Sequence, residues 1–327
     1  CNAPDPLRVV FGANATEALN LAFAGLVRPG DHVVTSSMEH NSVMRPLRAL
    51  AERGAALTVV RCSPAGELDP AAVEAALRPE TRLIAVTHAS NVVGTLLPVA
   101  ELGALARRRG ILLLVDAAQT LGAYPIDMRA DAIDLLAFTG HKSLCGPMGT
   151  GGLVLGERVD AGKLEPLMRG GTGSQSEREE QPRFLPDAYE SGTPNTVGLA
   201  GLAAGARWVL DQGVARVRAR ESALTARLLE ALGAIPGVTL YGSRDAAQRV
   251  AVVAFNIDAV NPSEVVGRLD EDFGIMSRGG LHCAPAAHRT VGTFPRGAVR
   301  FGFGPLSGED DAAAAAAAVA AIAEEAR

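Results

Sequence analysis

Lysine is almost missing from this 327-residue chain: of 31 basic residues, only Lys142 and Lys163 are lysines. Chemistry that needs a lysine amine therefore has two candidates. The basic residues form no block, and the formal net charge is −5. A phosphate backbone requires a clustered basic surface, so nucleic acid is not an expected partner. No apolar run approaches the roughly 18–20 residues that span a bilayer, and the run Ile111-Leu112-Leu113-Leu114-Val115 is short and ends in Asp116. No membrane span is expected. Cysteine is sparse as well, and Cys1, Cys62, Cys145 and Cys283 stand far apart with no CxxC pair. That spacing argues against a disulfide framework or a zinc site and points to a reducing cytoplasm. HxH and HExxH are absent, as are the GxSxG elbow, GxGxxG and GxxxxGK[ST]. No metal, serine-hydrolase, dinucleotide or nucleoside-triphosphate fingerprint is left. There is no signal-peptide pattern; the chain opens on Cys1 in a stretch that already reads as structured, so a preceding segment is expected.

What is present suits a sizeable core: 48% of residues are apolar and 20% charged. Strand-like runs at 8–11, 32–36, 57–61, 83–87, 111–115, 134–138 and 152–155 alternate with helical patterns at 15–26, 43–53, 70–77 and 99–109. This rhythm implies an α/β fold with a mainly parallel sheet covered on both faces. Unalternating runs such as Leu83-Ile84-Ala85-Val86 fit strands buried on both sides. Polar, glycine-rich sequence at 169–195 breaks the rhythm, and its charged stretch 177–181 reads as a solvated loop. Helical patterns follow at 196–212 and 214–232, strands at 238–241 and 250–257, a helix at 262–269 and a strand at 298–303. The alanine-rich end, 311–327, reads as a closing helix. A smaller α+β domain beginning near Trp208 would divide the chain into 1–207 and 208–327.

Ligand sites of open α/β sheets lie beyond the carboxyl ends of the strands, and four polar clusters fall there. Gly12-Ala13-Asn14-Ala15-Thr16-Glu17 opens a helix and reads either as an ordinary N-cap or as an anion site. Asp116 ends an apolar strand, so it needs a cationic or donor partner, such as a protonated pyridine nitrogen, or else caps a helix. Thr139-Gly140-His141-Lys142 follows another strand, where a lysine amine can be partly desolvated; Lys163 lies in polar sequence typical of solvent. In Arg278-Gly279-Gly280-Leu281-His282-Cys283-Ala284-Pro285 a thiol stands beside a cation and a histidine, which can make it nucleophilic. Cys62 reads as a buried small hydrophobe, and Cys145 stays ambiguous beside Lys142. His40, after a strand, could stack on a flat cofactor; His32, His88 and His288 read as structural.

In this order the clusters closely resemble the class V aminotransferase family, in its cysteine desulfurase branch. The matching stretches are Asn14-Ala15-Thr16-Glu17-Ala18-Leu19-Asn20, Met38-Glu39-His40-Asn41-Ser42, Ser90-Asn91-Val92-Val93-Gly94-Thr95, Val115-Asp116-Ala117-Ala118-Gln119, Thr139-Gly140-His141-Lys142, Ser191-Gly192-Thr193-Pro194-Asn195 and Arg278-x-Gly280-x-His282-Cys283-Ala284. The last of these is similar to the form found in selenocysteine lyases.

The resemblance implies a fold-type I transferase that depends on pyridoxal phosphate. Lys142 would hold the cofactor, Asp116 would face the pyridine nitrogen, and His40 would stack on the ring and aid acid–base steps. Gln119 and Asn91 would bond the ring hydroxyl side, while Ala15, Thr16, Thr139 and His141 would hold the phosphate. Thr193 would reach the phosphate of a partner subunit, implying a homodimer. Arg300 would clamp the substrate carboxylate, with Arg278 and Asn91 also at the substrate.

The implied reaction turns L-cysteine into L-alanine. Sulfur is left as a persulfide on Cys283 for an acceptor protein, as in iron–sulfur cluster assembly. Family members carry a segment before the point matching Cys1, with a strand and a loop bordering the site, so such a segment is expected here too. Rival readings are a selenocysteine lyase, an aminotransferase or epimerase with the same cofactor, and a non-catalytic scaffold or truncated inactive homologue. Lys142, Asp116 and Arg300 together argue against the scaffold.

Overall fold

The computed structural model describes residues 1–327. A seven-stranded sheet is built from β1 (Val9–Gly12), β2 (His32–Ser36), β3 (Ala56–Val60), β4 (Thr81–Thr87), β5 (Leu112–Asp116), β6 (Leu135–Thr139) and β7 (Gly151–Leu155), in the order β1-β7-β6-β5-β4-β2-β3. Between the strands run α1 (Ala15–Leu26), α2 (Asn41–Glu52), α3 (Pro70–Ala75) and α4 (Val99–Arg109). Strands β3, β2, β4, β5 and β6 pair in parallel. Residues of β2, β6 and β7 are buried throughout, because separate apolar clusters cover the two faces of the sheet.

The helix starts follow from local chemistry. Asn14 caps α1, its Oδ1 accepting from Glu17 N at 3.0 Å. Gly110 ends α4 in the left-handed region at φ 69°. The expected parallel sheet has an antiparallel margin, since β7 runs against both β6 and β1. No helix separates Thr139 from Gly151, and without a crossover the chain can only return antiparallel. Gly151 is required at this return: a Cβ would lie 2.6 Å from Asn14 Cα. The close approach seats the turn before α1 against β7.

After the 156–195 connection come α5 (Thr196–Gln212) and α6 (Val214–Gly233). The division expected at 207/208 falls inside the continuous helix α5. The chain turns instead at Gly213, φ 80°, between the two helices, and we propose the division there. Strands β8 (Val238–Tyr241) and β9 (Val252–Ile257) precede α7 (Pro262–Glu271) and α8 (Pro285–Val291), followed by β10 (Val299–Gly302) and α9 (Glu309–Glu325). The three strands form an antiparallel sheet, β10-β9-β8. Residues of α6, α7 and α9 pack in its core cluster. Helix α8 was not expected from sequence. Its Ala287 and Val291, with Ala284 before it, join the core of the large sheet, so the Cys283 segment is tied to both sheets.

Candidate active site

The strand ends converge on a cavity of about 350 Å³. The β1–α1 turn contributes Asn14, Ala15 and Thr16, the β2–α2 turn His40 and Ser42, and the end of β4 and its loop Thr87 and Asn91. Asp116 ends β5 with Ala118 and Gln119 after it, and Thr139 ends β6 with His141 and Lys142 after it. The far wall carries Arg278, His282, Cys283 and Arg300. One predicted residue is not brought here: Thr193 is exposed, and its neighbours Ser191, Gly192, Pro194 and Asn195 line a separate cleft.

Lys142 opens onto the cavity, and desolvation by the surrounding walls lowers its amine pKa from the ordinary 10.5, against the pull of Asp116. Lys163 is solvent-exposed and pairs with Asp160 at 3.2 Å. Asp116 is buried, with Oδ1 accepting from Ala118 N at 3.0 Å and Oδ2 left for a ligand. Thr139 Oγ1 and His141 Nδ1 share a hydrogen bond of 2.9 Å.

Asn91 joins the two walls. Its Nδ2 donates to His282 O at 2.8 Å, and its carbonyl accepts from Arg300 Nη1 at 2.7 Å. The buried Asn91 Oδ1 has no partner in the protein. An orphaned acceptor of this kind asks for a donor, and the hydroxyl of a pyridoxal ring is one. With Asp116 Oδ2, the Lys142 amine and the free first amides of α1, the donor set fits pyridoxal phosphate.

The thiol of Cys283 is exposed on a segment held at several points. His282 and Cys283 both adopt left-handed backbone, φ 47° and 57°. Asn41 N donates to Cys283 O at 2.8 Å. His282 Nε2 meets Arg278 O at 3.2 Å, and its Nδ1 meets His288 Nε2 at 3.3 Å. Burial pushes both rings down to about 4, so they are neutral spacers. The other cysteines stand elsewhere: Cys62 is buried, and Cys145, exposed at φ 55°, does not line the cavity.

Sequence reasoning gave no role to Glu39, Ser42 or Thr87. Glu39 is fully buried; Thr87 N donates to Oε2 at 2.9 Å and Ser36 Oγ to Oε1 at 2.5 Å. Burial raises its carboxyl to about 8, above the ordinary 4.5. Only the buried placement reveals this, because an acid next to a histidine in sequence reads as an exposed turn. A raised acid binds its proton more tightly when folded, so its contribution to stability is full below the unfolded value and declines as pH rises toward the folded value. Glu39→Gln keeps a neutral acceptor for Thr87 N. Between pH 5 and 8 the wild type should therefore lose up to a few kcal/mol relative to this variant, measured by denaturant unfolding at each pH. Parallel pH profiles would remove the assignment.

Comparison with known proteins gives the same picture. The aminotransferase class-V family model matches residues 1–314. A protein of Methanothermobacter thermautotrophicus, named as a probable cysteine desulfurase, is 39% identical over 87% of this chain and 73% of its own. A cysteine desulfurase of Klebsiella pneumoniae is 38% identical over 86% and 70%. Among solved structures, the apo cysteine desulfurase of Thermococcus onnurineus superposes with a TM-score of 0.91 at 33% identity, covering 97% of this chain and 80% of that one. An Escherichia coli cysteine desulfurase in an S-sulfonic acid form gives 0.88 at 27%, covering 98% and 80%.

Proposed function

This chain belongs to the class-V aminotransferase family, and on that premise we propose that it is a pyridoxal-phosphate-dependent cysteine desulfurase whose persulfide forms on Cys283. The observation that carries the reading is one cavity lined by a lysine, a carboxylate with a free oxygen, an arginine and an exposed thiol. Incubation with L-cysteine and a reductant, with sulfide and alanine measured together, tests it; equal amounts support it, and pyruvate or no product overturns it.

The cofactor, when bound, supplies an electron sink for charge built at the substrate α-carbon. Lys142, whose amine pKa is lowered by desolvation, is the attachment amine and afterwards a proton carrier at Nζ. Asp116 Oδ2 would hold the ring nitrogen's proton, and Asn91 Oδ1, with Gln119 beside it, would accept from the ring hydroxyl. The Ala15 and Thr16 amides, with the Thr139 and His141 side chains, would hold the phosphate at a helix start.

Arg300 meets the substrate carboxylate while Asn91 O steadies its guanidinium from behind. Arg278, the backbone bridge partner of Arg300, lines the same wall. The Cys283 thiolate attacks the substrate sulfur: an S–S bond forms, and the C–S bond breaks with its electron pair left on carbon. That carbon takes a proton and becomes alanine. A sulfur-acceptor protein then collects the persulfide at the exposed Cys283.

A homodimer suits the reading, because Thr193 does not line its own cavity, exposed Met168 lines the cleft formed by its neighbours, and Val197 four positions on is exposed. We assign the protein to the cytoplasm from its free cysteines; no helix is long and apolar enough to cross a membrane. Asp116→Asn should keep part of the cofactor yet lower turnover about 10²-fold or more, since a neutral amide holds the ring proton poorly. Turnover within a factor of two of wild type would leave Asp116 as a cap alone.

A further inference from the structure

Ser42 stands between the first turn of α1 and the His40 ring. We propose that Ser42 is a positioning residue that keeps His40 neutral, with its ring proton on Nε2, before any ligand arrives. The inference deepens the reading of His40 as the residue against the cofactor and rests on it.

The Ser42 backbone amide can only donate, and it donates to His40 Nδ1 at 3.0 Å. Nδ1 therefore carries a lone pair, and the proton of the neutral ring is on Nε2. Ser42 Oγ lies 2.8 Å from the same nitrogen, so the hydroxyl must also donate to it. Thr16 Oγ1, 2.8 Å from Ser42 Oγ, supplies the next donor in turn. An ordered chain thus runs from Thr16 through Ser42 to His40.

Two donors on Nδ1 favour the unprotonated nitrogen, and protonating it would set N–H against N–H and O–H. Burial also disfavours the charged ring, and so do Lys142 after β6, Arg278 beside the Cys283 segment and Arg45 on α2. Asp116 at the end of β5 alone pulls the other way. The ring consequently offers the cavity a hydrogen-bond donor at Nε2. His40 therefore meets a bound group as a neutral hydrogen-bond donor.

The test is nitrogen NMR of the full chain carrying ¹⁵N-histidine, with and without pyridoxal phosphate, the His40 signals being identified by their loss in His40→Gln. The expected result is an acceptor-type Nδ1 and a protonated Nε2 in the wild type. Ser42→Ala keeps the amide but loses the hydroxyl, so His40 should titrate about one pH unit higher, the size of one neutral hydrogen bond. Ser42→Thr, which retains a hydroxyl, should restore the wild-type titration. A wild-type ring protonated on Nδ1 would overturn the proposal, as would an unchanged titration in Ser42→Ala with native circular dichroism. The wild-type tautomer decides the matter even if Ser42→Ala does not fold. Neither reading needs turnover, so a failed sulfide assay would remove the proposed function and leave the role of Ser42 separately measured.

Discussion

Replacing Lys142 by alanine is expected to abolish covalent retention of pyridoxal phosphate and to lower turnover at least ~10³-fold, the range typical of a lost nucleophile or proton carrier. The expectation rests on scarcity and on placement. Lys142 lies at the carboxyl end of a buried strand, where desolvation favours the neutral amine that attachment requires. Lys163, the one alternative, does not line the cavity and is already paired with Asp160. It has no means of substituting. Borohydride reduction of the loaded wild-type protein, followed by peptide mapping, should put the label on the peptide that contains Lys142. Label on Lys163, or retention of the label in the variant, would show that attachment occurs elsewhere and would dissolve the proposed site.

Much of this site was legible because the polar clusters follow strands, and a strand buried on both faces announces itself as an unbroken apolar run. Asp116 and Lys142 were found in that way, each at the end of such a run. Strand direction carries no such signal. Strand β7 is as apolar as its parallel neighbours, and only the missing crossover after β6 reveals that it returns antiparallel. Helix α8 escaped notice because its seven residues are too few for periodicity, although Pro285 at its first position is a start signal. The expected boundary near Trp208 falls inside α5 for a related reason. A helix that continues past a boundary looks no different from one that ends there, until a glycine such as Gly213 marks the turn. Glu39 and Ser42 were hidden more deeply. Their importance lies in which atoms face Thr87 and Thr16, and those contacts exist only after β2, β4, α1 and α2 have come together. The role proposed for Thr193 would rest on a second subunit, which no single chain displays.

Cys283→Ala should bind pyridoxal phosphate and L-cysteine as the wild type does, yet release sulfide from cysteine at least ~10³-fold more slowly. The thiol acts after the groups around Lys142, so its removal should leave the early absorbance changes on adding cysteine intact. The backbone that presents it should persist as well. Cys283 O still accepts from Asn41 N, and Asn91 still holds His282 O. Residue 283 is nonetheless left-handed, at φ 57°, a conformation that glycine adopts freely and alanine does not. Cys283→Gly should therefore be equally inactive but about 1 kcal/mol more stable than Cys283→Ala, which urea unfolding can measure. Cys145→Ala serves as the contrast. Burial raises the Cys145 thiol pKa, and the residue does not line the cavity, so this variant should keep wild-type turnover. Full activity on cysteine without Cys283 would overturn the persulfide step and make Cys145 the thiol to test. Activity retained on selenocysteine alone would instead identify a lyase, in which the leaving atom departs without a thiol to receive it.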